Sequence, residues 1–124
     1  MKIYLVIGTV SAMLAVILGA FAAHGLKNQL SEPLLAVFQT GVQYQMYHSL
    51  GLILLVLTAQ FMPSAQLVWS AGFMSAGMVL FSGSLYLLAI TGIKWFGPVT
   101  PLGGLCFIIA WGLFIFAAFK GLKL

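Results

Sequence analysis

The sequence predicts an all-α integral membrane protein, a bundle of four transmembrane helices. Three observations point there. Of its 124 residues, 63% are hydrophobic and 5% are charged, whereas soluble domains carry roughly 25% charged residues. Four apolar runs recur along the chain, each near the roughly 20 residues a helix needs to cross hydrocarbon. The segments between them are short and hold Gly, Pro, Asn and Lys, the usual punctuation of helices. A water-exposed surface built from so few charges would present large contiguous apolar patches, so the chain reads as one membrane domain, residues 1–124, whose solvent is the lipid bilayer.

The first span is expected at about 3–23, and His24, Gly25, Lys27 and Asn28 end it. Lys2 followed by an apolar stretch has the look of a secretory signal. The run is long enough to cross, however, and further spans follow. Ser31, Glu32 and Pro33 open the next helix, with serine as cap and proline in the first turn. The helical pattern then passes through Gln39, Gln43, Tyr44, Gln45, Tyr47 and His48 before turning purely apolar. This predicts an amphipathic approach that becomes a second span at about 42–61, with the polar stretch near one membrane face. Met62, Pro63 and Ser64 make a turn too short for anything but a hairpin. The third span is expected at about 67–90. Gly97, Pro98 and Pro101 interrupt the pattern before a fourth at about 102–119.

The net charge of +4 comes from Lys2, Lys27, Lys94, Lys120 and Lys123 against Glu32. These lysines stand singly at the ends of apolar runs, which suits membrane anchoring and excludes the clustered cations that nucleic acid requires. Four spans place both termini on one side with Lys2, Lys120 and Lys123, against Lys27 and Lys94 opposite. The excess predicts cytoplasmic termini. Tyr4, Trp69 and Trp95 suit interfacial anchoring near span ends, whereas Trp111 lies deeper. The single cysteine, Cys106, allows neither an internal disulfide nor a thiolate metal cluster.

Lipid offers no hydrophobic force between helices, so small residues and paired polar groups must hold them together. Ser11, Ala15, Gly19 and Ala23 recur every four residues in the first span and form one stripe; Gly72 with Ala76, and Ala71 with Ser75, repeat the spacing in the third. Such stripes serve as seams within the monomer or as an interface for a homo-oligomer or a larger membrane complex.

Chemistry has few places to reside. Glu32 is the only carboxylic side chain and lies at a helix start, where it favours the helix dipole. The serines lack a His and Asp setting for nucleophilic catalysis. Gly103 and Gly104 lack the lysine and spacing of a phosphate loop. The polar face from Gln39 to His48 is the distinctive segment. Polar groups in hydrocarbon pair with one another or line a wet cavity, so it predicts a hydrogen-bond network or a small-ligand pocket. His24 and His48 could together ligate a haem or another metal, yet no further ligand type accompanies them, and no metal or other cofactor is expected.

Four segments then carry a family resemblance: Gly19-Ala20-Phe21-Ala22-Ala23-His24-Gly25-Leu26, Gln43-Tyr44-Gln45-Met46-Tyr47-His48, Leu80-Phe81-Ser82-Gly83-Ser84-Leu85-Tyr86 and Thr100-Pro101-Leu102-Gly103-Gly104. In this order they resemble the YgdD/YwdK-like family of small bacterial membrane proteins, domain-of-unknown-function family 423. The resemblance covers essentially the whole chain. It implies a four-span protein of the bacterial plasma membrane and supplies no catalytic residues. It also implies that His24, Gln43, Tyr44, Tyr47, His48, Ser82, Ser84, Tyr86 and Thr100 belong to a surface the family shares. With Gln39, these form the candidate polar cluster.

The leading functional expectation is non-enzymatic: a scaffold, an accessory subunit or a small-ligand binder. The alternative is a small channel or transporter for ions, protons or a small solute, using the Gln39 to His48 face. Haem or metal binding comes third.

Overall fold

The structure, a computed structural model, describes residues 1–121. Lys123 of the lysine count lies outside them. All regular structure among the described residues is helical. Helix α1 spans Lys2–His24 and α2 spans Glu32–Phe61. Helix α3, Ala65–Gly77, runs through a π-helical stretch, Met78–Ser82, into α4, Gly83–Thr91. A short 3-10 turn, Lys94–Phe96, precedes α5, Val99–Gly121.

The helix ends follow local chemistry. Ser31 Oγ accepts the N–H of Leu34 and Pro33 lies in the first turn of α2, so donors that the helix itself leaves unpaired are capped or absent. Ser64 caps α3 in the same way through the N–H of Leu67. Gly92 ends α4 at φ +69°, a left-handed conformation that glycine adopts without a Cβ penalty. Pro101 does not interrupt the last helix as the sequence pattern suggests: α5 begins at Val99, and a proline in the first turn removes an N–H that has no intrahelical partner anyway.

Among the described residues, three helical stretches are long and apolar enough to cross a membrane: Lys2–His24, Ala65–Thr91 and Lys94–Gly121. Helix α2, at 30 residues, is longer than any of these, but Gln39, Gln43, Gln45, His48 and Gln60 dilute its apolar character. It is one unbroken helix from Glu32, with no break where the approach was expected to become a span.

Helix α2 is the axis of the assembly. It pairs with α1 on one side and with the α3–α4 run on the other, while α5 packs on α3 and the π stretch; α1 touches α3 only slightly. The pairing of α1 with α2 is antiparallel, since Gly8 lies against Ile53 and Gly19 against Val42. Two apolar clusters fill the interior. The larger contains Leu52, Leu55, Leu67, Met74 and Phe107. The smaller contains Ala22, Leu26, Phe38 and Ala89. Between the two lies a belt of polar side chains.

The π stretch was not legible in the sequence. Its backbone is gripped from two sides: Ser82 Oγ donates to the carbonyl of Gly41 at 2.7 Å, and Gly103 of α5 lies directly on Phe81. A Cβ at Gly103 would stand 2.7 Å from the Phe81 Cα.

Candidate functional site

The belt is built around Gln45. Its amide nitrogen donates to the carbonyl of Ser11 across the α1–α2 seam at 2.9 Å. Its amide oxygen accepts the Tyr86 hydroxyl from α4 at 2.5 Å. One buried side chain therefore ties three helices. Ser49, one turn further along α2, donates to the carbonyl of Gln45 at 2.6 Å, and the Tyr86 ring packs on Phe38 with centroids 4.8 Å apart.

His48 forms the second part of the belt. Its Nδ1 stands 2.7 Å from the carbonyl of Tyr44. Trp111 of α5 donates its indole N–H to Nε2 at 3.0 Å. An indole N–H can only donate and a carbonyl can only accept. These partners fix His48 as the neutral tautomer carrying its proton on Nδ1, with both ring nitrogens in use. The ring also stacks on Phe107, centroids 3.5 Å apart and planes 8° from parallel. Neither nitrogen has a free lone pair for iron or another metal.

Ser84 donates to the carbonyl of Phe81 at 2.9 Å, so the 2.6 Å contact with Thr100 must be donated by the threonine hydroxyl. This pair joins α4 to the first turn of α5. Further along, Ser70 donates to the carbonyl of Ala110 at 2.6 Å and pins α3 to α5. Among the described residues, no buried side-chain nitrogen or oxygen lacks a partner.

The structure brings together only part of the expected cluster. His48, Ser82 and Ser84 are buried, and Tyr86 and Thr100 are half-buried beside them. Tyr44 lays its ring against Phe81 at 4.5 Å with one edge outside. Gln39, Gln43 and Tyr47 face outward. His24 is exposed at the end of α1, opposite the start of α2, roughly 20 Å along the helix axis from His48. The two histidines do not converge. No three His, Cys, Asp or Glu side chains gather among the described residues.

The belt also lies elsewhere than expected. It is at mid-height, not near one end, because the Ala22, Leu26, Phe38 and Ala89 cluster extends the apolar interior beyond it. Of the small-residue stripe in α1, Ser11, Ala15 and Gly19 turn toward the bundle while Ala23 is exposed. In the third span the buried seam uses Ala71 and Gly77, whereas Gly72 is half-buried and Ala76 exposed. Gln45 and Trp111, legible as part of the polar stretch and as a deep tryptophan, stand outside the expected cluster and yet hold its centre. Gly41, Gln45 and Ser49 recur every four residues, and that spacing was the available signal for Gln45.

Because α1 leans on α2 and barely meets α3, a side groove of about 460 Å³ opens between α1 and the α3–α4 run. Val6, Val10, Leu14 and Val79 form walls, and Ser11, Gln45, Ser75 and Tyr86 contribute its polar groups.

A family profile described as protein of unknown function (DUF423) matches residues 18–104. The chain belongs to the DUF423 family. It is 49% identical over 121 residues to the UPF0382 membrane protein YwdK of Bacillus subtilis (strain 168), covering 97% of this chain and 98% of that protein. It is 41% identical over 120 residues to a UPF0382 membrane protein of Staphylococcus epidermidis (strain ATCC 12228 / FDA PCI 1200), covering 97% and 98%. No solved structure matches the chain. These DUF423 relatives are named as membrane proteins. That agrees with the apolar helices, and nothing in the names indicates an enzyme.

Proposed function

We propose that this DUF423 protein is a non-enzymatic, four-span protein of the bacterial plasma membrane that serves as a scaffold or accessory subunit. The observation that carries this reading is the polar belt, in which no buried side-chain nitrogen or oxygen among the described residues is without a partner. Its side chains bond to one another and to backbone carbonyls of neighbouring helices, so their chemistry is used in holding the bundle together. Such a belt suits a rigid platform. A conducting path along α2 would need Gln39 and Gln43 inside, and both face outward.

The fourth span is α2. It runs antiparallel to α1 along most of that helix, so a membrane crossed by α1 is crossed by α2 as well. On this reading the span is about residues 36–58 of α2, the part that lies opposite α1, and the polar belt sits near the bilayer centre. Met1 lies with Pro63 and Ser64, and Lys120 with the same turn, so the described ends of the chain share one face of the bundle. Counted in the sequence, Lys2, Lys120 and Lys123 near the chain ends against Lys27 and Lys94 in the loops favour that face as the cytoplasmic one by the positive-inside rule.

Fluorescent reporters that fold only in the cytoplasm, fused in turn to each terminus, should both be bright, and single cysteines placed at Lys27 and Lys94 should react with an impermeant reagent from outside. A dark terminus or unreactive loops would overturn the four-span placement. Proteoliposomes should show background flux of ions and small solutes. Gentle detergent extraction should return the protein with a reproducible partner; a lone monomer every time would remove the accessory role.

A further inference from the structure

We infer that the groove between α1 and the α3–α4 run is a binding site for an uncharged apolar molecule carrying a carbonyl group. The Gln45 amide has two N–H groups. One is donated to Ser11, and the nitrogen has no second acceptor among the described residues. Gln45, Ser11 and Tyr86 are the hydrogen-bonding groups around it in the groove, with Ser75 at one side. The hydroxyls of Tyr86, Ser11 and Ser75 already donate within the protein, to Gln45, Met78 and Ala71. The remaining donor in the groove is therefore an amide N–H, whose complement is an acceptor oxygen; a carbonyl meets it without bringing into hydrocarbon a hydroxyl proton that needs a partner of its own.

The rest of the lining selects against charge. Val6, Ile7, Val10, Leu14, Met78 and Val79 carry none, and among the described residues no lysine or acid lines the groove. A volume of about 460 Å³ is within the ordinary range for small-molecule sites. Gly83 leaves one wall bare, since a Cβ there would meet nothing within 4 Å. The groove is thus open along that wall.

Depth distinguishes the source of the carbonyl, and here the inference rests on the four-span placement proposed above. Ser11 is nine residues along α1 from Lys2, about 14 Å at 1.5 Å per residue, close to the centre of a hydrocarbon layer about 30 Å thick. Ester carbonyls of bilayer lipids lie at the headgroup boundary and do not reach that depth. The structure therefore assigns the groove to a free molecule dissolved in the membrane, of the quinone or aryl ketone type.

Benzophenone supplies both the carbonyl and a photoreactive group. The full chain in lipid nanodiscs is irradiated with it and the adducts are mapped by mass spectrometry. Adducts are expected on Met78, Val79 and Val10. Menadione should compete about tenfold better than 2-methylnaphthalene, which keeps the ring system but lacks carbonyls. Gly83→Leu, which fills the groove from its bare wall, should lower labelling about tenfold, and Val79→Trp, at the groove mouth, should do the same if the first variant folds poorly. Labelling spread over the outer faces of α1 and α5, or equal competition by the two bicyclic compounds, would overturn the site. A several-fold rise in groove labelling in discs of ether-linked lipid would overturn a free ligand and assign the groove to lipid esters. If the reporters and cysteines place four spans correctly and labelling still fails, the site alone is lost; if they fail, the depth argument falls with the placement.

Discussion

Trp111 donates its indole N–H to Nε2 of His48 across 3.0 Å, joining the middle of α5 to the middle of α2. With Nδ1 directed at the carbonyl of Tyr44, the contact turns a histidine from a prospective ligand into a structural strut. The resemblance to a haem-binding pair ends there. Each nitrogen is committed, and His24 is far away.

Nitrogen NMR of the imidazole ring in the folded protein should show Nδ1 protonated and Nε2 unprotonated at neutral pH. The reverse tautomer would mean that the Trp111 bond is absent in solution. Trp111→Phe keeps most of the ring volume and removes the donor. It should lower unfolding stability in detergent by about 1–3 kcal/mol, the cost of a buried acceptor left unpaired.

The Gln45 and Tyr86 side chains should be energetically coupled. A double-mutant cycle with Gln45→Leu and Tyr86→Phe is expected to give about 0.6 kcal/mol, the average for hydrogen bonds between membrane helices, and no more than about 1.7 kcal/mol. Additive effects would show that their 2.5 Å contact contributes nothing.

Gly103→Ala should be poorly tolerated, because the added methyl lands on the Phe81 backbone and overpacking costs about 1–3 kcal/mol. Backbone cannot rotate away as a side chain can. Gly112 provides the control: a Cβ there would meet nothing within 4 Å, so Gly112→Ala should change stability by less than about 0.5 kcal/mol. Thermal unfolding of both variants, read by circular dichroism, makes the comparison.

Protein produced in haem-replete cells should show no Soret band, and His48→Ala should leave its absorption spectrum unchanged while lowering its melting temperature. A Soret band lost in His48→Ala would mean that the imidazole leaves Trp111 to bind iron.

Much of this protein was determined by the sequence alone. Apolar runs of membrane length fixed the helical class, because a backbone in lipid must satisfy its own hydrogen bonds and a helix does so locally. Ser31, Pro33 and Gly92 marked helix ends for the same local reason. The partners of the polar side chains were not local. Gln43, Gln45, Tyr47 and His48 lie within one and a half turns of α2, yet Gln45 and His48 turn inward while Gln43 and Tyr47 turn out. The face that α2 buries depends on where α1, α4 and α5 lie. Only the tertiary structure could decide that Gln45 meets Ser11 and Tyr86, and that His48 meets Trp111. It alone also showed that α1 stands away from α3 and leaves a groove, because interhelical hydrogen bonds and close packing join residues that are dozens of positions apart in the chain.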